Sequence, residues 1–420
     1  MKPQAPRGTQ DLLPSDQPYW DLVRETASRL ARQYGFERID TPMFEETGVF
    51  ERGVGEGTDI VEKEMYTFED KGGTSLTLRA EGTAPVVRAY LEHGMFKLPQ
   101  PVKLFYICPI FRFERPQAGR FRQHHQFGVE ALGETDPNLD AEVIELLWRL
   151  YEELEIGDLS LQINSIGDAI CRPGYIELLR SYYSDHLAEV CDDDRVRFQK
   201  NPLRLLDCKV PSCQAIADKA PHSADHLCPD CAAHFDSVKH GLALRGLAFN
   251  VNFRLVRGLD YYTRTVFEVW PARGGSQSTI GGGGRYDGLA EQLGGRSTPG
   301  IGFGSGIERI VLNYKQSHAG GGLDVISPDV FIVTAGPAEK DEGLRQATSL
   351  RRSGLRVASA YGERSFGAQM KAAGASGARL ALILGPDEVA AGQASVKDLR
   401  TGEQSLAPLH NLVPELQART

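Results

Sequence analysis

Apolar residues recur at helical spacing from the start of the chain: Trp20, Val23, Ala27, Leu30, Ala31 and Tyr34 follow Ser15-Asp16-Gln17-Pro18, which offers a cap and an early proline. The pattern predicts an amphipathic helix over 17–34, ended by Gly35, and a strand over 36–41 closing at Pro42. Short strands over 62–68 and 76–78 lead into the turn Arg79-Ala80-Glu81-Gly82-Thr83-Ala84-Pro85 and a helix over 86–93. Residues 102–114 have the apolar and aromatic composition of a largely buried strand, and 115–120 hold the Pro and Gly of a turn. Residues 121–130 then alternate, with Phe121, Phe127 and Val129 on one face. A helix over 140–154 and a strand over 159–166 follow, the helix presenting Val143, Leu146, Leu147, Leu150 and Tyr151 to a core.

From about 171 to 247 the character changes to a mostly helical insertion with an acidic turn, Asp192-Asp193-Asp194. Strands are expected over 249–257 and 263–270, then a run Gly281-Gly282-Gly283-Gly284-Arg285-Tyr286-Asp287-Gly288. Gly300, Gly302, Gly304 and Gly306 stand at every second residue, the wrong rhythm for a dinucleotide-binding turn. That rhythm suits a strand with one bare face on which a flat ligand lies, followed by a helix over 307–315. Ala319-Gly320-Gly321-Gly322 is a flexible linker. It separates a unit over 1–322, interrupted by the insertion, from one over 326–420 in which strands and helices alternate as in a small α/β domain. The overall class is α+β.

Composition narrows this picture. A chain of 420 residues is too long for one ordinary core. No apolar run reaches the roughly 18 residues that span a bilayer, and residues 1–9 lack the apolar core of a signal peptide. Seven cysteines, an odd number, point to reduced thiols and a cytoplasmic setting. The net charge of −9 argues against an indiscriminate nucleic-acid coat but not against a specific RNA partner, which needs only local basic patches.

The chemistry concentrates between 111 and 130. Alternation puts Arg112 and Glu114 on one face, and Arg122, His124, Gln126 and Glu130 on one face of the return strand. The plain reading is a solvated hairpin edge. A cation with polar partners on hydrophobic strands, beside a loop carrying Arg115, Arg120 and Arg122, points instead to a floor for a phosphate-bearing substrate. Cys208, Cys213, Cys228 and Cys231 form C-x4-C and C-x2-C, spacings that close tetrahedrally on a structural zinc or stand as four reduced thiols. His124 and His125 point to opposite faces of a strand and do not share a metal.

Phe111-Arg112-Phe113-Glu114, a loop, and a strand ending in Glu130 resemble motif 2 of the class II aminoacyl-tRNA synthetases. The text E-R-P-Q-A-G-R-F-R-Q-H-H-Q from Glu114, together with L-V-R-G-L-D-Y-Y over 255–262 and the glycine run at 281–288, resembles the histidyl-tRNA synthetase family. The 300–309 stretch is similar to motif 3, and the 17–42 helix and strand to motif 1, which in the family builds a homodimer interface. The resemblance implies a catalytic core of antiparallel sheet flanked by helices, with a C-terminal anticodon-binding domain. It implies L-histidine, ATP with Mg2+, and tRNA as substrates, joined through an adenylate. Arg112, Arg257 and Arg309 would be the catalytic cations and Glu114 a partner of adenine. Glu81, Thr83, Gln126, Glu130, Arg257, Tyr261 and Tyr262 would hold histidine. Arg115, Gln117, Arg120 and Arg122 would meet the tRNA acceptor end, where Ala118 replaces a residue often basic in relatives. Arg351, Arg352, Arg364, Lys371 and Arg379 would supply phosphate contacts in that C-terminal domain. Ala80 stands where the family usually has Pro. The alternative is a non-catalytic relative, the regulatory subunit of ATP phosphoribosyltransferase, which lacks the arginine of L-V-R-G-L-D-Y-Y and the C-terminal domain.

Overall fold

The computed structural model describes residues 2–55, 58–114, 119–271, 279–318, 321–323 and 327–420. Contacts divide it into two compact units, Met1–Gly322 and Leu323–Thr420. The linker residues Ala319 and Gly320 lie outside the described residues.

Eight strands of the first unit form one sheet, in the order Glu37–Arg38, Val102–Phe111, Gln123–Leu132, Gly300–Gly306, Gly281–Arg285, Thr263–Pro271, Leu159–Ser165, Asn250–Val251. The six central strands are antiparallel and the two edge strands pair in parallel. Register sets the faces: Phe105 lies opposite Val129, and Val129 opposite Phe303. These side chains meet Trp20, Val23, Ala27 and Leu30 of the helix Gln17–Gln33, and Val143, Leu147 and Leu150 of Pro137–Glu153, in one apolar core. Each large residue so buried contributes roughly 1.5–3 kcal/mol, so the expected stripes settle which face is covered. The opposite face carries a second core built from Leu104, Tyr106, Tyr261, Tyr262 and Tyr286 with residues of the helical segment that follows.

Four expected strands differ, and the one over 36–41 is reduced to Glu37–Arg38. The segment 62–68 is a turn of helix, Ile60–Glu64, followed by the strand Thr67–Glu69. Ile60 is buried against Phe50, Val54 and Ala80, and the Thr58 carbonyl accepts from the Glu62 N–H, so one-sided burial favours the helix. The 249–257 strand shrinks to Asn250–Val251, because the Asn252 side chain accepts from the Arg254 N–H and turns the chain. The strand beginning at Val102 stops at Phe111, leaving Arg112 and Glu114 in the following loop. The insertion is helical, with Arg172–Ser184, Asp192–Lys200, Pro211–Ala217 and Pro229–Leu244.

Glycine strand Gly281–Arg285 is central rather than a loop, and its last residue is tied to a helix. The Arg285 guanidinium, fully buried, donates to the Asp140 carboxylate on Pro137–Glu153, to the Glu134 carbonyl and to Asp287.

The second unit is a five-stranded sheet ordered Val357–Ser359, Val330–Thr334, Leu380–Leu384, Gln393–Asp398, Gln404–Pro408. Helix Pro337–Arg352 packs on one face through Ala347 and Leu350, and Phe366–Ala375 on the other through Ala373. Arg351 and Arg352 end the first of these helices, and Lys371 lies on the second. Arg351 donates from Nη2 to the Val357 carbonyl, and Arg379 from Nη1 to the Thr420 carbonyl.

Candidate active site

A cleft of about 750 Å³ opens over the glycine strands, lined by Arg112, Glu114, His124, Arg257, Glu268 and Arg309 among others. The three arginines come from three places in the chain. Arg112 leaves the end of its strand and is aimed by Nε donating to the Ala80 carbonyl at 2.7 Å. Arg257 sits in the loop after Asn250–Val251. Nη1 pairs with the Glu268 carboxylate, and the guanidinium lies 5.6 Å from the Tyr262 ring centre. Its Nε is buried with no hydrogen-bond partner among the described residues. Burial opposes its charge, but Tyr262 and Glu268 hold the guanidinium above its ordinary pKa. Arg309, on the first turn of Ile307–Ser317, donates to the Gly119 and Thr279 carbonyls. Burial, with Arg120 nearby, lowers its pKa.

Glu268 has no place in the expected site, yet it organises this end of the cleft. It accepts from Arg257, from Trp270 Nε1 at 2.6 Å and from the Thr279 hydroxyl at 2.8 Å. His124 also faces the cleft, and burial beside Arg112 pushes its pKa down to about 3, so it is neutral. His125 points the other way, its ring edge-on to Trp20 at 5.0 Å and bonded to Glu308, as alternation requires.

Beneath the arginines lies a buried polar network. Glu130 is fully buried and accepts from Thr83 at 2.8 Å, Tyr286 at 2.5 Å and Tyr106 at 3.2 Å. Glu81 accepts from the Thr83 and Ala84 N–H groups at 2.8 and 2.5 Å, capping the helix Thr83–Glu92, and Tyr261 lies 3.4 Å from its Oε2. Glu130 Oε1 takes both Thr83 and Tyr106, and Glu81 Oε2 both the Thr83 N–H and Tyr261, so only Glu130 Oε2 and Glu81 Oε1, with one donor each, retain a second acceptor site. Tyr261 and Tyr262 pack ring against ring at 4.7 Å. Glu81, Thr83, Glu130, Tyr261 and Tyr262 thus come together. Tyr106 and Tyr286 were missed. Tyr286 lies within the glycine run and Tyr106 within an apolar, aromatic strand, so neither carries a local signal of its bond to Glu130.

The alternating glycines serve another purpose than a bare floor along their whole length. A Cβ at Gly302 would lie 2.0 Å from Glu130 Oε2, and one at Gly304 2.0 Å from Gln126 Nε2. The side chains of Glu130 and Gln126, on the neighbouring strand, occupy that space. Gly304 and Gly306 still line the cleft.

In the basic loop, Arg115, Gln117 and Ala118 lie outside the described residues. Arg120 lies 3.5 Å from Glu114 Oε2. Arg122 stacks over Phe113 at 3.9 Å and donates to the Glu114 and Arg7 carbonyls, which turns its guanidinium toward its own chain.

The four cysteines are not one set. Cys228 and Cys231 lie with Cys171 and Asp168, whereas Cys208 and Cys213 lie with Cys191 and Asp194. Sequence spacing paired the thiols correctly within each motif. Only the helix packing supplies the third cysteine and the carboxylate.

Burial pushes the Glu130 carboxyl from 4.5 up to about 8, against the hydrogen bonds from Tyr286, Thr83 and Tyr106. The folded chain therefore holds a proton that the unfolded chain has released. This contribution to stability is complete below the unfolded pKa of about 4.5 and is lost as pH rises through about 8. In urea unfolding between about pH 5 and about pH 9, the wild-type chain is expected to lose stability that Glu130→Gln does not. Equal pH slopes in the two proteins would show Glu130 ionised throughout.

A mostly antiparallel sheet with arginines arrayed over central glycine strands is the architecture of a class II aminoacyl-tRNA synthetase. The family model for histidyl-tRNA synthetase matches residues 8–172 and 212–310, and the model for an anticodon binding domain matches 329–419. The chain belongs to the histidyl-tRNA synthetase family. It is 55% identical to a histidine–tRNA ligase of Dehalococcoides mccartyi over 99% of both chains. The apo histidyl-tRNA synthetase of S. aureus superposes with a TM-score of 0.83 at 37% identity, covering 99% of this chain and 100% of that one. A Bacillus halodurans protein titled an ATP phosphoribosyltransferase regulatory subunit/histidyl-tRNA synthetase shares the fold, with a TM-score of 0.65 at 20% identity over 91% of this chain and 99% of its own.

Proposed function

We propose that this chain joins L-histidine to its cognate tRNA in two steps in the cytoplasm. The histidine carboxylate attacks the α-phosphorus of ATP, giving histidyl-adenylate and pyrophosphate. The acyl group then passes to the terminal adenosine of tRNA and AMP leaves. The observation that carries this is the set of three guanidiniums on one cleft beside a buried Glu130–tyrosine pocket.

Attack of one anion on another is slow mainly for electrostatic reasons, so fixed cations dominate the catalysis. Arg112 and Arg257 bracket the α-phosphate and Arg309 meets the γ-phosphate, each staying charged and binding oxygens as a fork. Arg257, with Nε buried and unpartnered among the described residues, has a donor left for such an oxygen. Glu114 Oε2 is likewise a buried acceptor without a hydrogen-bond partner there, which suits the adenine amino group. Mg2+, when bound with the nucleotide, would offset charge on the pyrophosphate and would be held mostly by the phosphate oxygens themselves. Glu81, Thr83 and Gln126 receive the ammonium and carboxylate of histidine, while Glu130 and Tyr262 receive the imidazole. A pocket of this kind rejects analogues lacking the polar groups by about 10⁴-fold, so no editing domain is needed.

Arg115, Gln117, Arg120 and Arg122 guide the acceptor end, with Arg120 the exposed cation among the described ones. The second unit takes the anticodon. Met43, Phe44 and Phe68 leave exposed apolar surface on the small sheet formed by Phe44–Glu46, Ser75–Leu78 and Thr67–Glu69, which supports a homodimer. Among the described residues no helix is long and apolar enough to cross a membrane. Arg257, Arg309 and the C-terminal unit, all present, weigh against the regulatory-subunit alternative.

The deciding measurement is ATP–pyrophosphate exchange with each amino acid in turn, without tRNA. Exchange with histidine alone is expected. Exchange with another amino acid would keep the fold and overturn the pocket assignment, and exchange with none, from folded protein, would favour the regulatory reading.

A further inference from the structure

Six of the seven free cysteines gather in two places in and beside the helical insertion, away from the buried histidine pocket. We propose that this segment holds two separate structural zinc ions, one bound by Asp168, Cys171, Cys228 and Cys231, the other by Cys191, Asp194, Cys208 and Cys213. In each set one ligand atom of every residue lies within 4.8 Å of the other three, a spacing that encloses a single ion. A tetrahedral zinc with Zn–S bonds of about 2.3 Å puts its sulfurs about 3.8 Å apart, and a sulfur and an oxygen about 3.5 Å apart. Cys191 Sγ and Cys208 Sγ are 3.8 Å apart, and Cys171 Sγ lies 3.6 Å from Asp168 Oδ1.

Two further features bear on a cation, the first of them at the second set alone. Asp194 is fully buried; its Oδ1 accepts from Arg197 at 2.9 Å, but Oδ2 has no hydrogen-bond partner among the described residues. A buried carboxylate oxygen left in this way is costly without a compensating charge. Secondly, Cys171, Cys191 and Cys228 each occupy the N-cap of a helix, and none makes a side-chain capping bond. These three sulfurs are thus not used to close the helix ends on which they stand. Three thiolates with one carboxylate form a soft, tetrahedral donor set, which selects zinc over magnesium or calcium.

The two ions would have different tasks. The first set joins the chain just after strand Leu159–Ser165 to the start of helix Pro229–Leu244, and so closes the insertion where it leaves and re-enters the core. Its Asp168 also pairs with Arg264 at 3.3 Å, two residues beyond Tyr262, which makes this ion a positioning element for the proposed histidine pocket. The second set closes the insertion upon itself.

The test is zinc content of the full chain purified without chelator, read by plasma mass spectrometry. Two equivalents per chain are expected, falling to one in Cys208→Ser/Cys213→Ser and to one in Cys228→Ser/Cys231→Ser. A single equivalent lost in both variants would put four thiols around one ion and overturn the two-site partition. No zinc, with all thiols open to a thiol reagent, overturns the proposal outright. If a variant fails to fold, cobalt(II) replacement in the unmutated chain decides. Two equivalents developing tetrahedral d–d and thiolate charge-transfer bands support the two sites, and saturation at one or none overturns them.

Discussion

Replacing Arg257 by alanine is expected to cut histidine-dependent ATP–pyrophosphate exchange by about 10²–10³-fold, a loss of about 3–4 kcal/mol in the transition state. The guanidinium lies on a loop, outside the strands and helices that carry the two cores, and its removal leaves Glu268 still bonded to Trp270 and Thr279. Folding should therefore survive, which circular dichroism and a thermal melt would check. The loss should appear in the turnover number more than in the Michaelis constant for histidine, because the charge it offsets grows as the carboxylate meets the phosphate. Arg257→Lys keeps the charge but loses the planar fork, so it should fall between the two. Unchanged exchange in Arg257→Ala would remove this residue from the mechanism.

Deleting residues 326–420 should separate the two half-reactions. The first unit holds its own two cores and every residue assigned to adenylation, so pyrophosphate exchange should stay within about three-fold of the full chain. Charging of tRNA should fall by at least about 100-fold, since losing about 3 kcal/mol of binding is worth that much. The proteins would be compared at one salt concentration, because phosphate contacts weaken steeply with salt. Equal loss of both activities would overturn the division of labour between the units.

The helices and central strands were legible because burial on one face writes a period into the chain, as Trp20, Val23, Ala27 and Leu30 show. Elements decided by a single local contact were not. Arg257 read as the end of a strand, since nothing in Phe249–Arg257 announces that Asn252 will bond back to the Arg254 N–H. The cysteines show the same limit at longer range. Spacing identified Cys208 with Cys213 and Cys228 with Cys231, but Cys171, Cys191, Asp168 and Asp194 join them only through packing of four helices. Glu268 and Tyr286 escaped notice for a related reason: each acts through a partner far away in sequence, Arg257 or Glu130. Arg112, Arg257 and Arg309, far apart in the chain, line one cleft.

The glycine strands Gly281–Arg285 and Gly300–Gly306 carry a thermodynamic burden of their own. Each glycine in a strand loses more freedom on ordering than alanine would, about 0.5–1 kcal/mol, and eight of them form the middle of this sheet. The floor of the cleft is thus the part of the sheet least able to order itself. It is held from outside, by Arg285 locked to Asp140 at one end and by the Glu130 carboxyl group taking the Tyr286 hydroxyl across the strands. A substrate that engages Glu130 would compete for that clamp, so occupancy of the pocket and rigidity of its floor are coupled through a single buried carboxyl group.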